Sequence, residues 1–456
     1  MKVAESITEL IGNTPLLRIP AHVHGLRNIS LYAKLEYLNP FGSVKDRIAW
    51  QILKDELPSL SANKRTIIEN SSGNTAKAVA ALAGMWGVPF RLVSAMAKVE
   101  ETKDVLRLMG VQIQEVPSAV ECFDPNDPND PNFIIEREVA ESRGSLFFTG
   151  QFFNSKNPDA HYDTTGRELL EALPRIDFLC AGLGTSGSTL GIARRLRERD
   201  SDLVSVGITS GSSDFIPGIR TMSQMKDYGF FEPAAYNAMV TVESSQALDG
   251  MLTLIRACGM LCGPSAGANY IGALSYLQEV DTKLTKPANA VFIACDRVEW
   301  YISYIRQRRP ELFGGKERRD LLTSLSDIVV AQAPMLPISG ADEWMASHDA
   351  FIVDIRNPVA FEMGSIPGAI NIPSEVLEKL VQSRVPFTGV ERPVVFVCPI
   401  GEHSRRFAAQ MRRMGVEAYS LEGGLQAWRS SGFTMTIDQT AFDGQSVPPT
   451  PKRAVG

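Results

Sequence analysis

From residue 29 to about residue 305, short β-rich runs alternate with helical stretches, and this alternation predicts parallel sheets covered by helices on both faces. The strand candidates are residues 66–68, 90–93, 111–116, 146–149, 178–181, 203–208 and 290–294, each followed by a helical stretch or a turn leading to one. In sheets of this kind the chemistry lies at the carboxyl ends of the strands. Three loops rich in glycine, serine, threonine and asparagine fall at such ends.

The first loop, residues 39–47, reads NPFGSVKDR after the apolar run 29–35. It opens an amphipathic helix with Ile48, Ile52, Leu53 and Leu57 on one face. Asn39, Pro40 and Gly42 are turn residues, so Lys45 falls in the first helical turn. There the helix dipole and neighbours such as Arg47 disfavour the ammonium and lower its pKa. The second loop, residues 69–76 (ENSSGNTA), joins the strand 65–68 to the helix 76–83. The third, residues 182–189 (GLGTSGST), joins the strand 177–183 to the helix 190–197. A loop of the third kind presents N–H groups and hydroxyls to a phosphate at a helix N-terminus. One such loop alone is as readily an ordinary tight turn, and a lysine at a helix start is more often a solvated charge. The three together, in this order, are specific.

Together they resemble the cysteine synthase and cystathionine β-synthase family of pyridoxal-phosphate enzymes. Further similar pieces are GNTPL at 12–16, QFFNSKNPDAHYDTTGREL from Gln151, and EWYIS at 299–303, so the resemblance covers residues 6–306. It implies a two-subdomain α/β fold of the tryptophan synthase β type, with pyridoxal 5'-phosphate between the subdomains and a homodimer as the assembly. By matching positions, Lys45 would bind the cofactor and move the α-proton. Asn74 would meet the ring hydroxyl, and Gly184, Thr185, Ser186, Gly187 and Ser188 would cradle the phosphate. Ser71, Ser72, Thr75 and Gln151 would hold the substrate's α-carboxylate. The sequence departs from the family in three places. Ser186 and Ser188 stand where glycine and threonine are more common. Asp296 takes the place of the serine that meets the pyridine nitrogen, the alternative being an aspartate that caps the following helix. Residues 95–103 lack the family's usual Met-Ser-x-Glu-Arg-Arg run.

The character of the chain changes after residue 309, where a polar connection leads to a proline-containing linker at 331–337. A second unit follows, with a strand at 351–355, GSIPGAINIP at 364–373, a buried strand at 394–397, CPIGEHS at 398–404 and EGGLQAW at 422–428. This resembles a single rhodanese domain. Cys398 would be a persulfide carrier, since backbone N–H groups and a helix N-terminus favour the thiolate. His403 stands where arginine is common and Ser365 where histidine is common. Glu402 adds a negative charge that disfavours thiosulfate as donor. The implied organisation is a cofactor domain at 1–325, a linker at 326–337, a rhodanese-like domain at 338–438 and a disordered tail at 439–456.

With 456 residues and a net charge of −6, the chain is long enough for two or three domains and is a poor nucleic-acid ligand. No run is apolar enough to span a membrane, and MKVAESITELIGN lacks the apolar segment of a signal peptide, so a cytoplasmic location is expected. Six irregularly spaced cysteines form no disulfide or metal pattern, so Cys122, Cys180, Cys258, Cys262 and Cys295 read as core, as do Trp344 and Trp428. The repeat DPNDPNDPN at 124–132 reads as a surface loop.

The resemblance implies β-replacement on an O-activated serine through an aminoacrylate. A sulfur donor, either a small molecule or a persulfide protein, would then supply the nucleophile. Two other readings keep the fold. Asp296 and the TSGS run are similar to diaminopropionate synthases that use an amine nucleophile, and the reaction could instead eliminate sulfide from cysteine and load Cys398. A non-enzymatic scaffold with decayed sites is opposed by intact Lys45, Asn74 and phosphate loop.

Overall fold

The structure, a computed structural model, describes residues 3–71, 73–94, 99–116, 130–211, 215–225, 229–314, 325, 327–382 and 392–436. The described residues fall into two units, the first ending at residue 314 and the second beginning at residue 325. Among them no helix is long and apolar enough to cross a membrane.

The strands of the first unit are β1 (Leu16–Arg18), β2 (Ile29–Leu35), β3 (Thr66–Asn70), β4 (Phe90–Ser94), β5 (Gln112–Glu115), β6 (Leu146–Phe148), β7 (Phe178–Gly182), β8 (Val204–Ser210), β9 (Ala238–Val242) and β10 (Ala288–Ala294). They form two sheets, β1-β2-β10-β7-β8-β9 and β5-β4-β3-β6. Every pairing is parallel except β1 with β2. All seven strands expected from the sequence are present, within two residues. Sequence reasoning passed over two others. β1 has only three residues, too few to show a period, and β9 is an edge strand half open to solvent, with a weak apolar signal.

The helix Lys45–Leu53 buries Ile48, Ala49, Ile52 and Leu53 in one core with Ala78, Val79 and Leu82 of the helix Asn74–Met85. Leu57 shares that core but belongs to a separate helix, Leu57–Ala62. Pro58 is the reason: it offers no N–H and restrains the residue before it. The last unit of the DPN repeat also departs from expectation. Asp130 accepts from the Asn132 N–H at 2.8 Å and Pro131 opens the helix Pro131–Glu141, so the repeat ends as a helix start. Residues 121–129, Cys122 included, lie outside the described residues.

A buried charge network ties the first helix to the sheet. Arg47 donates to both oxygens of Glu36 at 2.7 and 2.8 Å and to both of Glu168 at 2.6 and 2.8 Å. Lys34 adds a bond to Glu168 at 2.6 Å. Burial pushes the Glu36 carboxyl up, but Arg47, Lys34 and Thr14 outweigh it and hold it at about 2. The stability this gives is full above the ordinary carboxylate range and is lost as pH falls toward 2. Arg47→Met strands the buried Glu36 carboxylate and leaves Glu168 to Lys34 alone, and should cost about 3–5 kcal/mol in urea unfolding. Protonation relieves them, so the loss should be larger at pH 8 than at pH 5; an equal loss at both would show that packing dominates.

The second unit carries β11 (Met335–Leu336), β12 (Phe351–Asp354), β13 (Ile370–Asn371), β14 (Val394–Val397) and β15 (Ala418–Leu421). They form one parallel sheet in the order β11-β15-β14-β12-β13. Its edge strand β11 lies inside the connection read as a linker. All four side chains of β14 are fully buried. Trp428 is core and donates to the Thr434 carbonyl at 3.0 Å, whereas Trp344 is only partly buried and stacks on His348. The tail expected to be disordered lies outside the described residues.

Candidate functional sites

In the first unit the loop before the helix Lys45–Leu53 is pinned to the segment after β10. Gly42 turns at φ 89°, a left-handed conformation that favours glycine. Val44 N–H donates to the Cys295 carbonyl at 2.8 Å, and Ser43 forms a bridge with Asp296. Lys45 is half-buried as the first helical residue. Its amine lies below the ordinary lysine value because burial disfavours the charge, against the opposing effect of Cys295 and Asp296. Arg47, expected to contribute, does not: its charge is spent on Glu36 and Glu168.

The 69–76 loop supplies the next group. Ser71 Oγ accepts from the Gly73 and Ala76 N–H groups at 3.1 and 3.3 Å, so this side chain shapes the start of the helix Asn74–Met85. Thr75 donates to Gln151 Oε1 at 2.7 Å, and Gln151 Nε2 donates to the Asn70 carbonyl at 2.8 Å. Ser71, Thr75 and Gln151 therefore line one corner; Ser72 lies outside the described residues. Behind them Glu69, which sequence reasoning did not single out, accepts from Thr149 and from the Asn70 and Gln151 N–H groups, and burial pushes its carboxyl up to about 7.

Asn74 reaches the other way. Its Nδ2 donates to Asp296 at 2.6 Å and to the Tyr301 hydroxyl at 3.1 Å, while its Oδ1 is buried without a partner. Asp296 also accepts from Tyr301 and, at 3.2 Å, from Ser265. Asp296 is thus no simple helix cap: its carboxylate faces inward among Asn74, Tyr301 and Ser265. Cys295 beside it is only partly buried, and Cys258 likewise, whereas Cys180 and Cys262 are core as expected. Burial pushes the thiols of Cys180 and Cys295 up to about 12.

The third loop runs from β7 into the helix Gly187–Arg197. Ser186 adopts φ 64°, a conformation that costs a non-glycine residue about 1–2 kcal/mol and that persists mainly where function requires it. Thr185 Oγ1 accepts from Asn157 at 3.0 Å and from the Gly187 N–H at 3.3 Å. A Cβ on Gly184 would stand 2.7 Å from the Gly218 carbonyl oxygen, and one on Gly187 2.1 Å from Asn157 Oδ1, so neither position accepts a side chain. Ser186 Oγ and Thr189 Oγ1 are buried and face the Tyr236 hydroxyl, and Ser188 is partly exposed. Pyridoxal phosphate fits this set: backbone N–H groups and buried hydroxyls at a helix start suit a phosphate, the orphaned Asn74 Oδ1 suits a ring substituent, and Lys45 offers the amine.

In the second unit Cys398 follows β14 and precedes the helix Glu402–Arg413. Its Sγ accepts from the Gly401 N–H at 3.2 Å, the Ser404 N–H at 3.4 Å and the Ser404 hydroxyl at 3.2 Å. Three donors converging on one sulfur suit an anion. Ser420 on β15, 2.8 Å from Ser404 Oγ, donates to the Gly401 carbonyl at 3.1 Å and braces the loop. A Cβ on Gly424 would fall 2.2 Å from the Cys398 carbonyl oxygen, which explains the paired glycines of EGGLQAW. Arg356 clamps Asp354 and the Gly364 carbonyl, and His403 packs against Phe407. Ser404 and Ser420 were missed, although Ser404 lies inside the expected motif.

Comparison with known proteins agrees with the two domains. Residues 7–296 match the family described as pyridoxal-phosphate dependent enzymes, and residues 339–431 match the rhodanese-like domain. Cysteine synthase B of Pseudomonas aeruginosa is 30% identical over 302 residues, covering 65% of this chain and 96% of that protein. Cystathionine beta-synthase of Apis mellifera is 32% identical over 298 residues, covering 61% of this chain but only 57% of that protein. Among solved structures, an O-acetylserine dependent cystathionine beta-synthase from Helicobacter pylori is 25% identical with a TM-score of 0.55, covering 66% of this chain and 98% of that one. The chain therefore belongs to the pyridoxal-phosphate dependent enzyme family, on its cysteine synthase and cystathionine β-synthase side, and carries a rhodanese-like domain after the cofactor domain.

Proposed function

We propose that the first unit replaces the β-substituent of an O-activated serine, O-acetylserine or O-phosphoserine, with a sulfur nucleophile, giving cysteine or a related β-substituted alanine. The second unit carries sulfur as a persulfide on Cys398. What supports this reading is that the half-buried Lys45 and Asn74, whose Oδ1 is orphaned, both interact with Asp296, and that Thr75, Gln151 and Asn157 tie the 69–76 loop to Thr185 of the third loop. The cofactor, when bound, supplies an electron sink for charge at the substrate's α-carbon. Lys45 holds it and then moves the α-proton. Ser71, Ser72, Thr75 and Gln151 hold the α-carboxylate. Gly184, Thr185, Ser186, Gly187 and Ser188 hold the phosphate, and Asp296 stands toward the ring nitrogen. The Helicobacter relative, whose name states its dependence on O-acetylserine, supports that donor first. In the second unit Glu402, the first residue of the helix after the Cys398 loop, adds negative charge there, which favours a neutral or protein-bound sulfur donor over thiosulfate.

The experiment is a donor panel. O-acetylserine, O-phosphoserine, serine and cysteine are mixed separately with the purified protein while the cofactor absorbance is followed, and sulfide is then added. One O-activated serine should change the spectrum and revert on sulfide, with kcat/KM roughly a hundredfold above serine. A response to serine or cysteine alone would overturn the donor assignment. The buried Asp296 carboxylate favours a second reading, in which an amine serves as nucleophile, as in diaminopropionate formation. Reversion by an amine and not by sulfide would select it.

A further inference from the structure

One charged group in the first unit has no place in the reading so far. Lys77 lies one turn after Asn74 in the helix Asn74–Met85, on the same face. It is 3% exposed, and its Nζ has no hydrogen-bond partner. The ammonium instead sits 3.8 Å from the centre of the Trp300 ring. The rest of the buried face is Thr75, Ala76, Ala78, Val79, Ala80, Leu82 and Ala83, and an apolar side chain at 77 would avoid the cost of burying an unpaired cation. What the lysine adds is charge. Burial lowers its amine to about 7, Asp296 and Asp46 oppose that by holding the charge, and Arg297 adds to it.

Of the two carboxyls, Asp46 is occupied in its own turn, accepting from the Phe41 N–H at 2.6 Å and from Ser43 at 3.2 Å. Asp296 is the one that meets Asn74, and the groups around it are Tyr301, Asn74, Ser265 and Lys77, with Cys295 and Lys45 nearby. On the Asp296 carboxylate Oδ2 accepts from Asn74 and Tyr301, and Oδ1 meets the Ser265 hydroxyl, an arrangement that suits an acceptor.

We propose that Lys77 is a positioning residue whose buried charge keeps Asp296 ionised, so that Asp296 orients Asn74 and presents an anion to the cofactor's ring nitrogen. The last clause rests on the reading of Asp296 given under Proposed function; the Lys77–Asp296 pair does not. With Asp296 ionised, both Nδ2 hydrogens of Asn74 are taken by Asp296 and Tyr301, which leaves Oδ1 as the face offered to the cofactor. Burial pushes Asp296 up, and each partner's charge opposes the effect of burial on the other.

Infrared spectroscopy of the holoenzyme tests the pair. Lys77→Met should gain a protonated-carboxyl band that persists when Asp46→Asn is added and vanishes when Asp296→Asn is added. Lys77→Arg, which keeps the charge, should show no such band. If Lys77→Met shows no band, or if the band survives Asp296→Asn, the proposal fails. The nitrogen resonance of protein loaded with ring-15N pyridoxal phosphate tests the link to the cofactor. Lys77→Met should move it toward the unprotonated position, because a neutral Asp296 no longer supports a pyridinium. Removing a distant cation alone would move it the other way, and that result would also overturn the proposal. A band with an unmoved nitrogen would leave the Lys77–Asp296 pair standing and refute the placing of Asp296 at the ring nitrogen.

Discussion

Lys45→Ala should lower turnover by at least about a thousandfold and abolish the absorbance of cofactor covalently held by the protein. The expected effect is large because, on the proposed role, one amine performs two tasks, holding the cofactor and moving the substrate's α-proton. The environment suits both. Burial lowers the amine's pKa, so more of it is free base near neutral pH than for a solvent-exposed lysine. Covalent loading requires the free base, so its rate should rise with pH and level off below the ordinary lysine value. The variant should still fold, since Lys45 contributes its backbone N–H, not its side chain, to the bond with Ser43 Oγ at 3.1 Å. Equal far-ultraviolet dichroism together with lost turnover would separate chemistry from unfolding. An active Lys45→Ala protein retaining the absorbance would refute the assignment.

Cys398→Ser should eliminate persulfide formation, a loss of at least about a thousandfold in sulfur transfer, and leave β-replacement with free sulfide unchanged. Among the described residues the other cysteines are poor substitutes. Burial raises the thiols of Cys180, Cys258, Cys262 and Cys295, and none of them has the three donors that converge on Cys398. A small alkylating reagent at pH 7 should therefore modify Cys398 first, although only 1% of the residue's surface is exposed. Mass spectrometry of the digested protein reads the order. Modification of Cys258 before Cys398, with no persulfide formed from any donor, would reduce the loop to a structural role.

The parallel sheets were legible because buried strands such as β10 are apolar runs, and each loop at a carboxyl end carries turn formers. The placement of Lys45, Asn74, the Ser186 loop and Cys398 was legible for the same reason: each lies within a few residues of a strand end. What was not legible depends on distant partners. Arg47 looked like a neighbour that would depress Lys45, but its guanidinium is bound by Glu36 and by Glu168, which lies 121 residues away. The orientation of Asn74 depends on Asp296, 222 residues on. Lys77 in a run of alanines carried no motif, and only its burial against Trp300 marks it. Ser420 braces the Cys398 loop from another strand, and no local pattern marks it either. Edge strands β1 and β9 were missed because short or half-exposed strands carry little period.

The central claim is that sulfur carried on Cys398 ends in an amino acid made at Lys45. The measurement is to load Cys398 of the full-length protein with a 34S persulfide, remove free sulfide, add O-acetylserine or O-phosphoserine with excess dithiothreitol, and analyse the amino acids by mass spectrometry. Dithiothreitol supplies the two electrons that release the persulfide's outer sulfur as sulfide, which then displaces the β-substituent. The account predicts 34S-cysteine in the wild-type protein and none in Lys45→Ala or Cys398→Ser. Label recovered only as inorganic sulfide, with both O-activated serines unconsumed or turned over only with an amine, would contradict it.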